Sequence, residues 1–313
     1  MKVGYAVLYE DGELVISADS IKLSKKSIIF FLKKRYKDYG KFNDDNIPWK
    51  EDSKKIKTIQ ILDQVKANCM NTWFEDCYNL TTLIDFQNLN VSNCENFGLT
   101  FCGCESLINI SSLKDWDVSN GKTFAGMFSC CLSLADISSL SNWNVSNGID
   151  FSSMFYHCES LTDISVLANW NMAHCSDFKN MFDCCISLQD ISALANWNVS
   201  NGEDFSNMFS YCQSLTNILA LKNWDVSNSM SFSKMFWSCK NLSIVTALEN
   251  YNMSNGEEFD CIFSDCFNLR EIYLSDTLKN LNIEMFDGCN PKLKIHWKDR
   301  IYTYDDLFEY QEF

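Results

Sequence analysis

Sixteen cysteines and three histidines carry the most reactive chemistry in this 313-residue chain. Thiolates and imidazoles ligate zinc, and either becomes a nucleophile or base when a neighbour activates it. Spacing decides which use is open. Cys77, Cys104, Cys131, Cys158, Cys185, Cys212, Cys239 and Cys266 recur every 27 residues, and Cys289 follows after 23. Such a series describes a structural column of small buried hydrophobes. The others are Cys69, Cys94, Cys102, Cys130, Cys175, Cys184 and Cys261, with no Cys-x-x-Cys that has a matching second pair. Adjacent thiols such as Cys130-Cys131 point to different sides and chelate poorly. No metal and no cofactor are expected, and the thiols are expected to be unpaired, as a reducing compartment keeps them. His157, His174 and His296 fall in no repeated column and in no Ser/His/Asp pattern. The 11 glycines form no phosphate loop. The expectation is a protein that is not an enzyme.

The elements that position these residues follow from the repeat. Phe74, Phe101, Phe128, Phe155, Phe182, Phe209, Phe236 and Phe263 stand three residues before the column cysteines, and a leucine, Leu80 to Leu269, three after. Phe151, Met154, Phe155 and Cys158 are spaced i, i+3, i+4 and i+7, which predicts one apolar face of a short helix. In "TDISVL", Ile164 alternates with Asp163 and Ser165, which predicts a short strand with the isoleucine inward. "SNWNVSNG" then marks a turn. Each repeat cannot bury its apolar face alone, but stacked repeats share one core. Trp116, Trp143, Trp170, Trp197 and Trp224, with Tyr251, recur every 27 residues. They read as a structural ladder. Asn142, Asn169, Asn196, Asn223 and Asn250 before them read as an amide ladder.

Two sets of residues look less structural. Asp136, Asp163 and Asp190 share one outward column, flanked by Asn109 and Asn217, and Ser138, Ser165 and Ser192 share the other. Parallel strands lie about 4.8 Å apart, so these carboxylates would stand in register. Like charges there are unfavourable, and folding alone does not ask for them. They form either a solvated acidic face or a seat for a basic partner or a cation. Tyr156 (beside His157), Tyr211 and Trp237 precede or flank the column cysteine at positions that vary between repeats. Exposed aromatics of this kind are enriched at interfaces.

"MFSCCLSLADISSLSNWNVSNGIDFSSMF" resembles the BspA-like leucine-rich repeats, with Met-Phe, Cys, Ser-Leu and Trp-Asn-Val-Ser-Asn in that order. "GYAVLYEDGELVI" and "LKIHWKDRIYTYDDLFEYQ" resemble the entry and exit segments of such proteins. The resemblance implies an α/β solenoid with parallel strands and short helices, and proteins that bind partners, generally at a surface or after secretion. The expected organisation is an N-terminal capping segment over 1–68 with a hairpin at Asp11-Gly12, a solenoid over 69–273, and a C-terminal capping repeat and hairpin over 274–313. Net charge is +4 in the first, −16 in the second and −3 in the third. The acidic body excludes direct DNA binding by the solenoid. The basic stretch 22–41 reads as a cap element with a solvated edge, or as a contact to nucleic acid or an anionic membrane. No segment has the length of a membrane span, and the N-terminus does not read as a signal peptide, so a cytoplasmic location is expected. The expected function is a non-enzymatic scaffold that binds a protein with a basic surface through the strand face and adjacent loops. An acidic inhibitor or decoy of a nucleic-acid-binding protein, and a surface adhesin, are the alternatives.

Overall fold

The segment that carries the column phenylalanine is a string of reverse turns, which corrects the expected helix. In the computed structural model, Met154, Tyr156 and Cys158 donate their N–H groups three residues back, to Phe151, Ser153 and Phe155. The alternate N–H groups leave the segment. Phe151, Ser153, Phe155 and His157 donate to the carbonyls of Asp177, Lys179, Met181 and Asp183 one repeat on. Ser153 and His157 have φ of 56° and 59°. Left-handed residues at two fixed positions stop a helix from propagating. The same positions hold Thr72, Leu99, Gly126, Asn180, Asn207, Lys234 and Cys261 in one series, and Asp76, Gly103, Cys130, Cys184, Tyr211, Ser238 and Asp265 in the other, all with positive φ. Apolar spacing of three and four satisfied both a helix and this turn string, because each turn also brings i and i+3 together.

The expected strand at "TDISVL" is also corrected. Burial alternates as foreseen: Ile164 is buried, while Asp163 and Ser165 are exposed. The backbone, however, turns into a 3₁₀ helix over Ser165–Asn169, with Ile164 at φ −115° and ψ 18°. The cause is the aspartate. Its Oδ1 accepts the N–H of Ser165 at 2.7 Å and bends the chain. Ser192–Asn196 and Ser138–Asn142 start the same way from Asp190 and Asp136, at 2.8 Å each. Where the column holds neither aspartate nor asparagine, the chain stays extended and pairs, as at Thr82, Ile244 and Glu271.

The structure describes residues 3–18, 28–35 and 47–310. They divide into two compact units, Met1–Gly148 and Ile149–Phe313. In the first, β1 (Val3–Tyr9) and β2 (Glu13–Ser17) form an antiparallel hairpin, and β3 (Ile28–Arg35) pairs with the other edge of β1. Gly12 closes the hairpin at φ 92°, where a Cβ would lie 2.5 Å from the Lys55 carbonyl. Then β4 (Thr58–Ile61) and β6 (Thr82–Ile84) add in parallel, and β5 (Val65–Lys66) pairs with β7 (Leu89–Asn90). Apart from 28–35, the basic stretch 22–41 lies outside the described residues.

In the second unit the turn strings stack on one another, and the sheet appears late. There, β8 (Ile244–Val245), β9 (Glu271–Tyr273) and β10 (Lys294–Trp297) are parallel, and β11 (Arg300–Tyr302) returns antiparallel before α1 (Tyr304–Tyr310). Phe155, Phe182, Phe209 and Phe236 are fully buried and stack at 5.7 Å. Each rung therefore has one ring above and one below, and the core is the stack itself.

The polar atoms of the core explain the repeated residue types. Trp197 and Trp224 donate their indole N–H to the carbonyls of Leu167 and Leu194 at 2.9 Å, and Tyr251 places its hydroxyl on Leu221 at 2.8 Å. Cys185, Cys212 and Cys239 each direct Sγ to the phenylalanine carbonyl of the rung before, at 3.1–3.2 Å. A buried carbonyl thus gains a second, weak donor from a side chain small enough to fit. The amide ladder belongs to a different column from the one expected. Asn142, Asn169, Asn196, Asn223 and Asn250 are exposed, whereas Asn201, Asn228 and Asn255 donate to Ala173, Ser200 and Ser227 at 2.6–2.7 Å.

Candidate binding face

The outward column that holds Asp163 and Asp190 is built by the turn described above. Their carboxylates are exposed. With Ser165 and Ser192 they line one groove of about 300 Å³. The Ser192 hydroxyl also donates to Oδ2 of Asp190, at 3.0 Å. The structure brings four of the sequence-selected residues together here. Asp136 and Ser138 occupy the equivalent turn of the first unit. Hydrogen bonds from Ser138, the backbone N–H foremost, hold the Asp136 carboxyl below the usual carboxylate range.

These carboxylates have a structural task, contrary to the expectation that folding does not require them. The task needs an oxygen acceptor, not a charge. Asn109 accepts from the Ser111 N–H at 2.8 Å, and Asn217 from Leu219 at 3.3 Å. An amide oxygen does the same work in the same column, so the negative charge at Asp163 and Asp190 is surplus to the turn.

A second acidic series stands elsewhere in the repeat. Asp150, Asp177 and Asp204 stand before the phenylalanines and are joined by parallel bridges that continue to Ser231 and Glu258. Each carboxylate accepts the N–H two residues on, at 2.7–3.0 Å. Burial pushes the Asp177 carboxyl up, and the charges of Asp150 and Asp204 on either side add to this. The signal was present as a 27-residue spacing.

The aromatic residues do not form one site. Tyr211 packs edge-on against Trp237 at 4.8 Å, and the Trp237 indole donates to Asp265 at 3.2 Å. Tyr156 instead neighbours His157, at 5.5 Å. Another cluster went unnoticed because the last repeat is 23 residues long. Tyr273 and His296 pair across β9 and β10 and stack at 4.1 Å. His296 Nε2 and the Tyr273 hydroxyl both meet Oε1 of Glu271, at 2.8 and 3.2 Å. The His296 bond is the largest cause of a lowered Glu271 pKa. Among the described residues, no three of His, Cys, Asp and Glu are placed to hold a metal ion, and no helix is long and apolar enough to cross a membrane.

Stacked 27-residue rungs with a buried leucine column define a repeat protein of the leucine-rich, solenoid-like type. The family model described as "Mycoplasma protein of unknown function, DUF285" matches residues 31–164, 68–191 and 162–275, and the chain belongs to that family. Among solved structures it is similar to a leucine rich cell surface protein from Faecalibacterium prausnitzii A2-165, at 14% identity and a TM-score of 0.34, over 96% of this chain and 95% of that one. It is also similar to a leucine-rich repeat protein from Eubacterium ventriosum, at 12% identity and a TM-score of 0.28, over 95% and 93%. No curated protein matches the chain.

Proposed function

We propose that this chain is a non-enzymatic scaffold that binds a protein with a basic surface, through the face that carries Asp163, Ser165, Asp190 and Ser192. One observation carries the reading: the column needs an acceptor, asparagine supplies it at Asn109 and Asn217, and yet Asp163 and Asp190 add exposed charge. The surrounding segment, 69–273, has a net charge of −16. A field of that sign attracts a Lys- or Arg-rich partner and repels nucleic acid. The long column of buried thiols suits a reducing, cytoplasmic setting.

The double variant Asp163→Asn, Asp190→Asn removes the charge and keeps both turns. Its melting temperature should stay within error of the parent. Its affinity for a partner captured from the native host should fall roughly fivefold at low salt, with the difference shrinking at high salt. Unchanged affinity at low salt would move the site off this face. An even steeper salt dependence in the parent, spread over Asp150, Asp177 and Asp204 as well, would favour the decoy reading, because that column repeats charge along one line.

A further inference from the structure

A concavity of the second unit lies away from the acidic face, beside the end of the β8–β11 sheet. It has a volume of about 640 Å³, and Tyr273 forms part of its wall. The ring of Tyr273 is held on two sides. His296 covers one face at 4.1 Å, and the hydroxyl is fixed on Glu271. The other face looks across the sheet towards β8. Val245 pairs with Ile272, so the residue level with Tyr273 is Thr246, which is exposed and too small to cover a phenol ring. The result is an aromatic platform whose orientation is set before any ligand arrives.

Around that platform stand side chains with flat, paired hydrogen-bonding groups: Glu249, Asn252, Asp276 and Arg300. Asp276 is already oriented, since its Oδ1 accepts the Lys298 N–H at 3.1 Å. Trp297, also in the wall, keeps its indole N–H buried with no hydrogen-bond partner among the described residues. Charges of both signs are mixed here, with Glu249, Asp276 and Asp299 against Lys298 and Arg300. That mixture disfavours a polyanion such as a nucleotide, and the polar wall disfavours an apolar metabolite.

We propose that this cavity is a binding site for a neutral pyranose sugar. One face of such a ring presents C–H bonds polarised positive, which rest on the negative face of an aromatic ring. Its rim presents neighbouring hydroxyls that each donate and accept, and planar carboxylate, amide and guanidinium groups meet two of them at once. The open face of Tyr273 takes the C–H side, and Glu249, Asn252, Asp276 and Arg300 take the hydroxyls.

The test uses the full chain and a panel of glucose, galactose, N-acetylglucosamine and their β-linked disaccharides. Saturation-transfer NMR and titration should show saturable binding of at least one sugar, with a dissociation constant on the order of 1 mM. Tyr273→Ala should weaken it at least about tenfold, while Tyr273→Phe should stay within about threefold, since the ring face remains. Where Tyr273→Ala fails to melt cooperatively, the exposed Glu249→Ala decides, with the same tenfold loss expected. Absence of binding by every sugar up to about 50 times that concentration, or parental affinity in the deciding alanine variant, overturns the proposal. The site does not depend on the protein-binding reading: the Asp163→Asn, Asp190→Asn variant should bind sugar as the parent does.

Discussion

Asp177 shows how one residue both builds a rung and burdens it. Its Oδ1 accepts the Lys179 N–H at 2.9 Å, while Asp150 and Asp204 bridge to it from both sides. Partial burial, reinforced by those two charges, raises its pKa. The folded protein therefore holds this proton more tightly than the unfolded chain. The associated stability is complete below the unfolded carboxylate value of about 3.9 and is lost as pH rises through the raised native value. Asp177→Asn should remove the repulsion and keep the acceptor, as Asn96 does when it takes the Gly98 N–H at 2.8 Å. The gain expected at pH 7 is about 0.5 kcal/mol, or about 1–2 °C in melting temperature. As pH falls through the raised native value it should shrink, because the parent carboxyl then takes up its proton. Melting curves at pH 7 and at a pH below that value check this, and a destabilised variant at pH 7 would mean that the charge itself is required.

At the scale of elements, the repeat period and the inward residues were legible in the sequence, and the backbone between them was not. Phe155 and Cys158 point inward as their spacing implies, but i+3 contacts are common to a helix and to linked turns. The distinguishing sign is spread over the copies. One copy holds Ser153 and His157, which mean little alone; the same two series elsewhere hold Gly126, Asn180 and Asn207, and Asp76, Gly103 and Asp265, the residue types that tolerate a left-handed backbone. The turn at Asp163 was hidden for a related reason. Alternating burial is the same in a strand and in an extended residue that ends in a turn, and only the carboxylate on the Ser165 N–H separates them. The platform at Tyr273 was hidden because the final repeat breaks the period, so His296 looked unrelated to any column. Element stability rests on ring stacking. Phe182 lies between Phe155 and Phe209 at 5.7 Å from each. Phe182→Ala should cost about 3–5 kcal/mol, read from the urea midpoint. A loss below about 1 kcal/mol would show that neighbouring rungs close over the gap.

Over the whole molecule, none of the sixteen cysteines is joined in a disulfide, and eleven are buried. Burial pushes the thiols of Cys104, Cys131, Cys185, Cys212, Cys239, Cys266 and Cys289 up, the last to about 12, so these stay protonated and unreactive at neutral pH. Alkylation with N-ethylmaleimide followed by mass measurement should place at most five labels on the native protein, at Cys69, Cys102, Cys130, Cys184 and Cys261, and sixteen after unfolding. Rapid native labelling beyond five would show rungs that open locally. The bonds between rungs have a further consequence. Phe151, Ser153, Phe155 and His157 give N–H groups to the next rung, while Cys185 returns its thiol to Phe155. The two surfaces of a rung are thus unlike, and each fits the opposite surface of its neighbour. A gene duplication that inserts a whole 27-residue unit meets the same donors and acceptors it left behind. A unit of another length keeps the match only where it still spans a whole rung, as in the last step, where Phe263 donates to Met285 and Cys289 returns its thiol to Phe263. Such a chain lengthens or shortens in whole steps, and its ancestry is written as a copy number.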